Sequence, residues 1–395
     1  MTPRVGAVLA ALATAALLLA GCTAAPPGAD PATDGATQDA GTDAHDAHHA
    51  DAGRAPATPL RAGERFARLA MPAAYTPSAP TGTGTDDYRC FLLDPALAED
   101  AFITGLDVLP GTERVVHHVI LFRVPPGSVA TARATDDAEA GQGWTCFGGT
   151  GVGGTGTSLD DAPWLGAWAP GGGEQVMADD VGIPLEAGSQ VIMQVHYNLL
   201  AGPEPDVTAA RLRLTPGDRD LAALETVLLP APVELPCRPA HSDGPLCDRD
   251  AAVADVVARV GSSGNTANAL HLLCGMAPVG PVQRCDREMD RPATLRAVAG
   301  HMHLLGRSIT IDVNPGTPRE KRVLDIPVWD FDDQGSVPVD PLRLRRGDTV
   351  RVTCEHDQAL RDVLPAFEGQ PDRYVVWGEG TTDEMCLGML LVTRP

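Results

Sequence analysis

Gly300-His301-Met302-His303-Leu304-Leu305-Gly306 is the stretch on which the reading of this chain turns. Two histidines alternate with an apolar residue, and side chains on a β-strand repeat with a period of two. An extended backbone here would send the imidazoles of His301 and His303 from one face, side by side, as two neutral nitrogen ligands for a transition metal. The same short-strand texture continues outward. Residues 115–123, 190–199, 209–214, 308–313, 349–354 and 386–392 are brief apolar or alternating runs. Turn chemistry separates them, as in Pro125-Pro126-Gly127, Pro216-Gly217-Asp218 and Arg346-Gly347-Asp348. Few helical periods occur, apart from one around residues 250–260. The pattern predicts an all-β fold of two tandem antiparallel β-sandwich domains.

The 395 residues suffice for two domains once the ends are set aside. Arg4 precedes an apolar run over residues 5–20 that ends Leu19-Ala20-Gly21-Cys22. This run is too short and too N-terminal for a membrane span. Its ending resembles a bacterial lipoprotein signal, in which the cysteine becomes the lipidated first residue; an ordinary cleaved secretion signal is the alternative. Lipid on Cys22 would anchor the mature chain to the cell envelope without spanning it. Residues 23–60 hold no aromatic side chain and little that could form a core, so they read as a disordered tether with a reach of roughly 35 Å. Within it, Asp43-Ala44-His45-Asp46-Ala47-His48-His49 is either solvated linker or a weak metal-catching tract.

A net charge of −22 argues against a nucleic-acid partner. Setting Cys22 aside leaves eight cysteines, and an even number in an exported chain predicts four disulfides of open connectivity. No Cys-x2-Cys spacing supports a zinc ribbon. The glycine-rich residues 148–156 lack the Lys-Ser/Thr of a phosphate cradle. The chain divides near residue 220. Residues 61–220 carry His117, His118 and His196, and residues 221–395 carry His301, His303 and Met385. Residues 237–291, with four cysteines, read as a disulfide-pinned elaboration.

Neighbouring residues on a regular strand face opposite sides, so His117 and His118 can share one metal only at a strand end or a bulge. Otherwise one is buried and hydrogen-bonded while the other is exposed. His196, in the apolar run Val191-Ile-Met-Gln-Val-His-Tyr197, would complete a three-imidazole site suited to copper or zinc. Met385 is either a gap-filling core residue or a thioether ligand, a soft donor that favours Cu(I) over zinc. Two histidines with a methionine would stabilise reduced copper and leave a position open for dioxygen, whereas three histidines suit a copper that shuttles electrons. His241, His271 and His356 read as exposed or structural.

Tyr88-Arg-Cys-Phe91, His117-His118-Val-Ile-Leu, Gln194-Val-His-Tyr197, His301-Met-His-Leu-Leu-Gly306 and Asp383-Glu-Met-Cys386 occur in this order. Over residues 65–395 the chain resembles the copper type II, ascorbate-dependent monooxygenases, the family of peptidylglycine α-hydroxylating monooxygenase and dopamine β-monooxygenase. The resemblance implies two jelly-roll-like sandwiches facing each other across a solvent-filled cleft, with two coppers per chain. It implies that His117, His118 and His196 hold the electron-transfer copper. His301, His303 and Met385 would hold the copper that meets dioxygen and the substrate C–H bond. It also implies a Cys354–Cys386 disulfide bracing the strand that carries Met385.

The pocket departs from the family. Peptide-hydroxylating members place a carboxylate-binding arginine two residues before the first histidine of His-x-His, where this chain has Ala299. They use polar residues after the Met-Cys pair, where this chain has Leu387, Gly388 and Met389. Losing a charged anchor removes several kcal/mol, on the order of 3, of carboxylate binding. A smaller or more apolar substrate than a glycine-extended peptide is expected. The first functional reading is therefore a monomeric copper monooxygenase using a small-molecule substrate, dioxygen and an ascorbate-like reductant, touching the membrane only through its lipid. A non-catalytic copper-buffering lipoprotein is the alternative. A zinc hydrolase is disfavoured by Met385 and by the absence of His-Glu-x-x-His.

Overall fold

The computed structural model describes residues 56–79, 85–147, 149–152, 159, 163–260 and 265–395. Cys22, the histidines of the tether and most of the glycine-rich stretch lie outside the described residues.

The first half of the described chain supplies ten strands: β1 (Arg65–Ala70), β2 (Asp86–Leu93), β3 (Ala101–Leu109), β4 (Val116–Val124), β5 (Trp144–Thr145), β6 (Trp164–Trp168), β7 (Gln175–Val176), β8 (Val181–Leu185), β9 (Gln190–Asn198) and β10 (Ala209–Pro216). The second half supplies β11 (Ala222–Pro230), β12 (Glu234–Leu235), β13 (Val282–Glu288), β14 (Ala293–His301), β15 (Gly306–Val313), β16 (Lys321–Ile326), β17 (Val337–Leu344), β18 (Thr349–His356), β19 (Val375–Val376) and β20 (Leu387–Thr393). The fold is all-β with antiparallel sheets, as the period-two runs predicted.

In the first half, a five-stranded sheet ordered β5-β2-β9-β4-β6 packs over β1-β10-β3-β8, with β7 added to β3. Their facing apolar side chains, among them Phe91, Ile103, Leu121, Met193 and Leu212, form one core. In the second half, β13-β18-β15-β16 packs over β11-β20-β14-β17 around Leu295, Ile309, Ile311, Val352 and Leu390. A short parallel contact, Ala222 with Val181 and Ala223 with Gly182, joins β11 to β8, so one nine-stranded sheet runs through both halves. Strand β9 is buried along nearly its whole length because it is the middle strand of its sheet, paired on both sides with β2 and β4.

Helical structure is minor. The expected helix near residues 250–260 is α2 (Arg249–Val260). Two more, α1 (Val129–Asp137) and α3 (Thr266–Cys274), were not legible in the sequence. The eight cysteines form four disulfides: Cys90–Cys146, Cys237–Cys247, Cys274–Cys285 and Cys354–Cys386. Two of these lie wholly within residues 237–291 and pin that elaboration. Four disulfides fit a protein that matures outside the cytoplasm. Among the described residues, no helix is long and apolar enough to cross a membrane.

Candidate metal centre

The histidine doublet reaches one point through a strand irregularity. Between Val116 and His118 the pairing of β4 with β9 shifts register, and this bulge lets both His117 and His118 turn toward the same partner. His118 then lies directly opposite His196 on β9, and Tyr88 of β2 lies opposite His196 on its other side. The Nδ1 atoms of His117 and His118 are 3.2 Å apart, those of His117 and His196 3.2 Å, and those of His118 and His196 3.3 Å. A point equidistant from three nitrogens so spaced lies about 1.9 Å from each, just inside the imidazole–metal bond length of about 2.0 Å. The three residues form a candidate metal-binding group, the only one of its kind among the described His, Cys, Asp and Glu residues.

Two of the three rings have a support behind them. The Nε2–H of His196 donates to Oδ1 of Asp86 at 2.8 Å, which directs the Nδ1 lone pair at the other two histidines. The Tyr88 ring stacks on His196 with centroids 4.0 Å apart, and its hydroxyl donates to the Glu379 carbonyl. His117 stacks on Phe331, at 4.2 Å between centroids. The Nε2 of His117 is buried and has no hydrogen-bond partner, so of the three rings it is His196 alone whose outward nitrogen is held by a carboxylate.

His301 and His303 meet, but not by strand alternation. Strand β14 ends at His301, and Met302 to Leu305 turn into β15, so the two rings approach edge to face at 5.1 Å and 85° instead of standing in parallel. Two glycines frame the turn. A Cβ on Gly300 would lie 2.9 Å from a methyl of Ile309, and one on Gly306 2.8 Å from the Trp329 ring. The Nδ1 of His301 is hydrogen-bonded to Oε1 of Gln334 at 2.6 Å. His303 is 1% exposed, and neither of its ring nitrogens has a partner.

Met385 is buried and immediately precedes the disulfide-bonded Cys386. Leu387 pairs with His301 at the end of the β14–β20 register, two residues after Met385. Glu384 fastens this meeting of segments. Its fully buried carboxylate accepts from the backbone N–H of His303 (3.0 Å), Leu305 (2.6 Å) and Met385 (3.2 Å). Cys354–Cys386 closes the same segment onto β18, as the resemblance implied.

The two histidine sets lie close together. The rings of His118 and His301 are 5.9 Å apart, and Phe331 lies against His117 at 4.2 Å and near His303 at 6.3 Å. The open cleft implied by the resemblance is replaced, between these residues, by packed rings. Burial, with the neighbouring imidazoles adding to it, pushes His117 and His118 well below the usual histidine range, and pushes His301 down to about 3. Burial also lowers His303, partly offset by the Glu384 carboxylate. These four rings are therefore neutral near pH 7, the form in which imidazole ligates metals. Burial opposes ionisation of Asp86, yet the hydrogen bonds from His196 and Thr381 outweigh it and hold the carboxyl well below its ordinary range.

Of the other described histidines, two lie apart from these sets and His356 sits behind Glu384, its Nε2 3.4 Å from the carboxylate. His241 has a half-exposed side chain near Asp372, and His271 bonds Glu234 at 2.7 Å. His356 is buried, with Nε2 3.3 Å from the Met385 carbonyl. Asp86, Thr381, Phe331 and Gln334 were missed from sequence because each acts through a contact distant along the chain.

No family model matches the chain, and no curated protein does. Among solved structures, a fucolectin from striped bass serum is 9% identical, covering 84% of this chain and 97% of that one, with a TM-score of 0.19. The VP2 subviral particle of infectious bursal disease virus is 10% identical over 86% of this chain and 75% of that one, also with a TM-score of 0.19. The coconut allergen cocosin is 8% identical over 84% and 86%, with a TM-score of 0.16. TM-scores this low mark no shared fold and transfer no function.

Proposed function

We propose that this chain is a copper-dependent monooxygenase that hydroxylates a C–H bond of a small, largely apolar molecule, using dioxygen and an ascorbate-like reductant. The observation that carries the reading is the pairing of a closed triangle of imidazole nitrogens with a second buried histidine, His303, whose two ring nitrogens have no partner. Buried polar atoms without partners cost about 1–3 kcal/mol each, and a metal would relieve that cost at the one ring nitrogen it binds. The donor chemistry fits copper: three nitrogens at one set, and at the other two histidines with Met385 on the segment that Glu384 ties to the His303 turn, whose thioether would be a soft donor.

When bound, copper would supply one-electron chemistry and an open coordination position for dioxygen. His117, His118 and His196 would hold the electron-transfer ion, with Asp86 fixing the His196 tautomer. His301, His303 and Met385 would hold the ion nearest the substrate. Glu384 keeps the His303 turn and the Met385 segment in one geometry, and Gln334 orients His301. Phe331 and the stacked rings exclude water between the sets. Ala299 pairs with Met389 on β14 and β20, so neither position offers a cation for a carboxylate. Lipid attachment at Cys22 to the bacterial cell envelope belongs to the same reading.

The test is metal analysis together with ascorbate-driven oxygen uptake. Two coppers per chain and turnover with a small apolar substrate are expected, and Met385→Ile should abolish turnover while the three-histidine copper stays bound. Two coppers bound without oxygen uptake across a broad substrate screen would instead leave a copper-buffering protein.

A further inference from the structure

One segment of the second half, residues 377–386, touches both histidine sets. At its far end Glu384 holds the His303 turn and Met385. In its middle, the Thr381 hydroxyl and backbone N–H (3.1 Å) both donate to Oδ1 of Asp86, the same oxygen that accepts from His196. Thr381 is 1% exposed, and its hydroxyl also lies 3.4 Å from His196 Nε2. The segment is itself tied down. Asp383 accepts from Gly380 N–H (3.1 Å) and takes both terminal nitrogens of Arg259, at 3.0 and 2.7 Å. A Cβ on Gly378 would fall 2.7 Å from the Asp383 carboxylate, so the loop closes this tightly only with glycine there. The Tyr88 hydroxyl reaches across to the Glu379 carbonyl at 2.7 Å.

Resting on the metal reading above, we infer that Thr381 and Asp86 are positioning residues that make the three-histidine site of the first half depend on the loop carrying Met385 in the second. Asp86 must remain an acceptor toward His196 for that ring to present its Nδ1 lone pair. Thr381 supplies two of the donors that aim Asp86. Neither residue need touch a metal. Partners of a ligating histidine typically change metal affinity by about 10–100-fold when removed. The consequence goes beyond support, because the first site is then complete only when the second half has folded against it.

The experiment titrates Cu(I) against a chromophoric chelator with the full chain, comparing the parent with Thr381→Val, Thr381→Ser and Asp86→Asn. Valine keeps the shape of threonine and loses the hydroxyl, so the three-histidine affinity should fall roughly tenfold while the second site is unchanged. Serine should restore it. Asparagine keeps a neutral carbonyl oxygen for the three donors that converge on Oδ1, so Asp86→Asn should weaken the site no more than the valine variant, and X-ray absorption should still show three nitrogen ligands. A Thr381→Val protein that titrates like its parent overturns the inference, as does equal weakening of both sites, which would mark a packing role. A parent chain that takes up no copper fails the metal reading itself, a different result from a parent that binds and a variant that does not differ.

Discussion

Removing the Glu384 carboxylate tests how the second histidine pair is held. Three buried backbone donors converge on it: the N–H groups of His303 at 3.0 Å, Leu305 at 2.6 Å and Met385 at 3.2 Å. The residue is 0% exposed, so no water replaces the lost acceptor in place. Hydrogen bonds to a charged partner are worth about 1.5–3 kcal/mol each, and each orphaned donor costs on the order of 1–3 kcal/mol. Three such losses are partly offset because the native state no longer carries a desolvated carboxylate, leaving a net cost of roughly 3–5 kcal/mol for Glu384→Ala. Glu384→Gln keeps the shape and one oxygen, which can serve His303 with Met385 or Leu305 alone; about half that cost is expected. The assay is urea unfolding of metal-free protein with its disulfides intact, followed by tryptophan fluorescence, with copper affinity of the second set measured in parallel. Glu384→Ala within about 0.5 kcal/mol of the parent, the range of an ordinary surface change, would refute the reasoning.

Acid should destabilise the metal-free protein in a defined window. The unfolded chain takes up protons on its histidines near 6.5, whereas burial keeps His301 neutral down to about 3 and lowers His117, His118 and His303 as well. Their contribution is therefore complete above 6.5 and lost as pH falls through that value toward about 3, at on the order of 1.4 kcal/mol per pH unit for each ring. Urea midpoints from pH 7 to 5 should fall steeply, and less so in His301→Gln; a flat profile would contradict the burial of these rings. Replacing Cys354 and Cys386 together by alanine opens a bridge that spans 32 residues, for which loop entropy gives about 3–4 kcal/mol. The same urea series measures it, and a loss under about 1 kcal/mol would mean that β18 and the Met385 segment hold together without the bridge.

Much of the fold was legible because its signals are local. The run at residues 190–199 became β9, and the disulfide count followed from an even number of cysteines in an exported chain. The bulge at Val116–His118 was anticipated as a condition, since adjacent histidines cannot otherwise share a ligand. Alternation misled at His301 and His303, because β14 ends at His301 and the chain turns before His303, with Gly300 and Gly306 leaving room for the Ile309 and Trp329 side chains packed against the turn. The supporting residues were invisible for a different reason. Asp86 and Thr381 are 295 positions apart, and nothing in the residues around either one marks their contact, which exists only once both sandwiches are assembled. Helices α1 and α3 were hidden by short length and weak apolar periodicity, with packing deciding their conformation.

The arrangement is also costly in a way that bears on purpose. A core selected for stability alone fills its centre with apolar side chains, and unpaired polar atoms there are rare. Here five imidazoles from both halves gather in one buried region, leaving His117 Nε2 and both nitrogens of His303 without partners. A bulge interrupts β4, two glycines give up side chains around the turn, and a carboxylate is buried to hold three backbone donors. The unpartnered nitrogens, the bulge and the missing side chains lower the stability of the empty protein, and the Glu384 contacts offset part of that cost while fixing the His303 turn to the methionine segment. Local departures of this kind, converging on one point, are what a bound ion would compensate, and apolar packing would have no need of any of them.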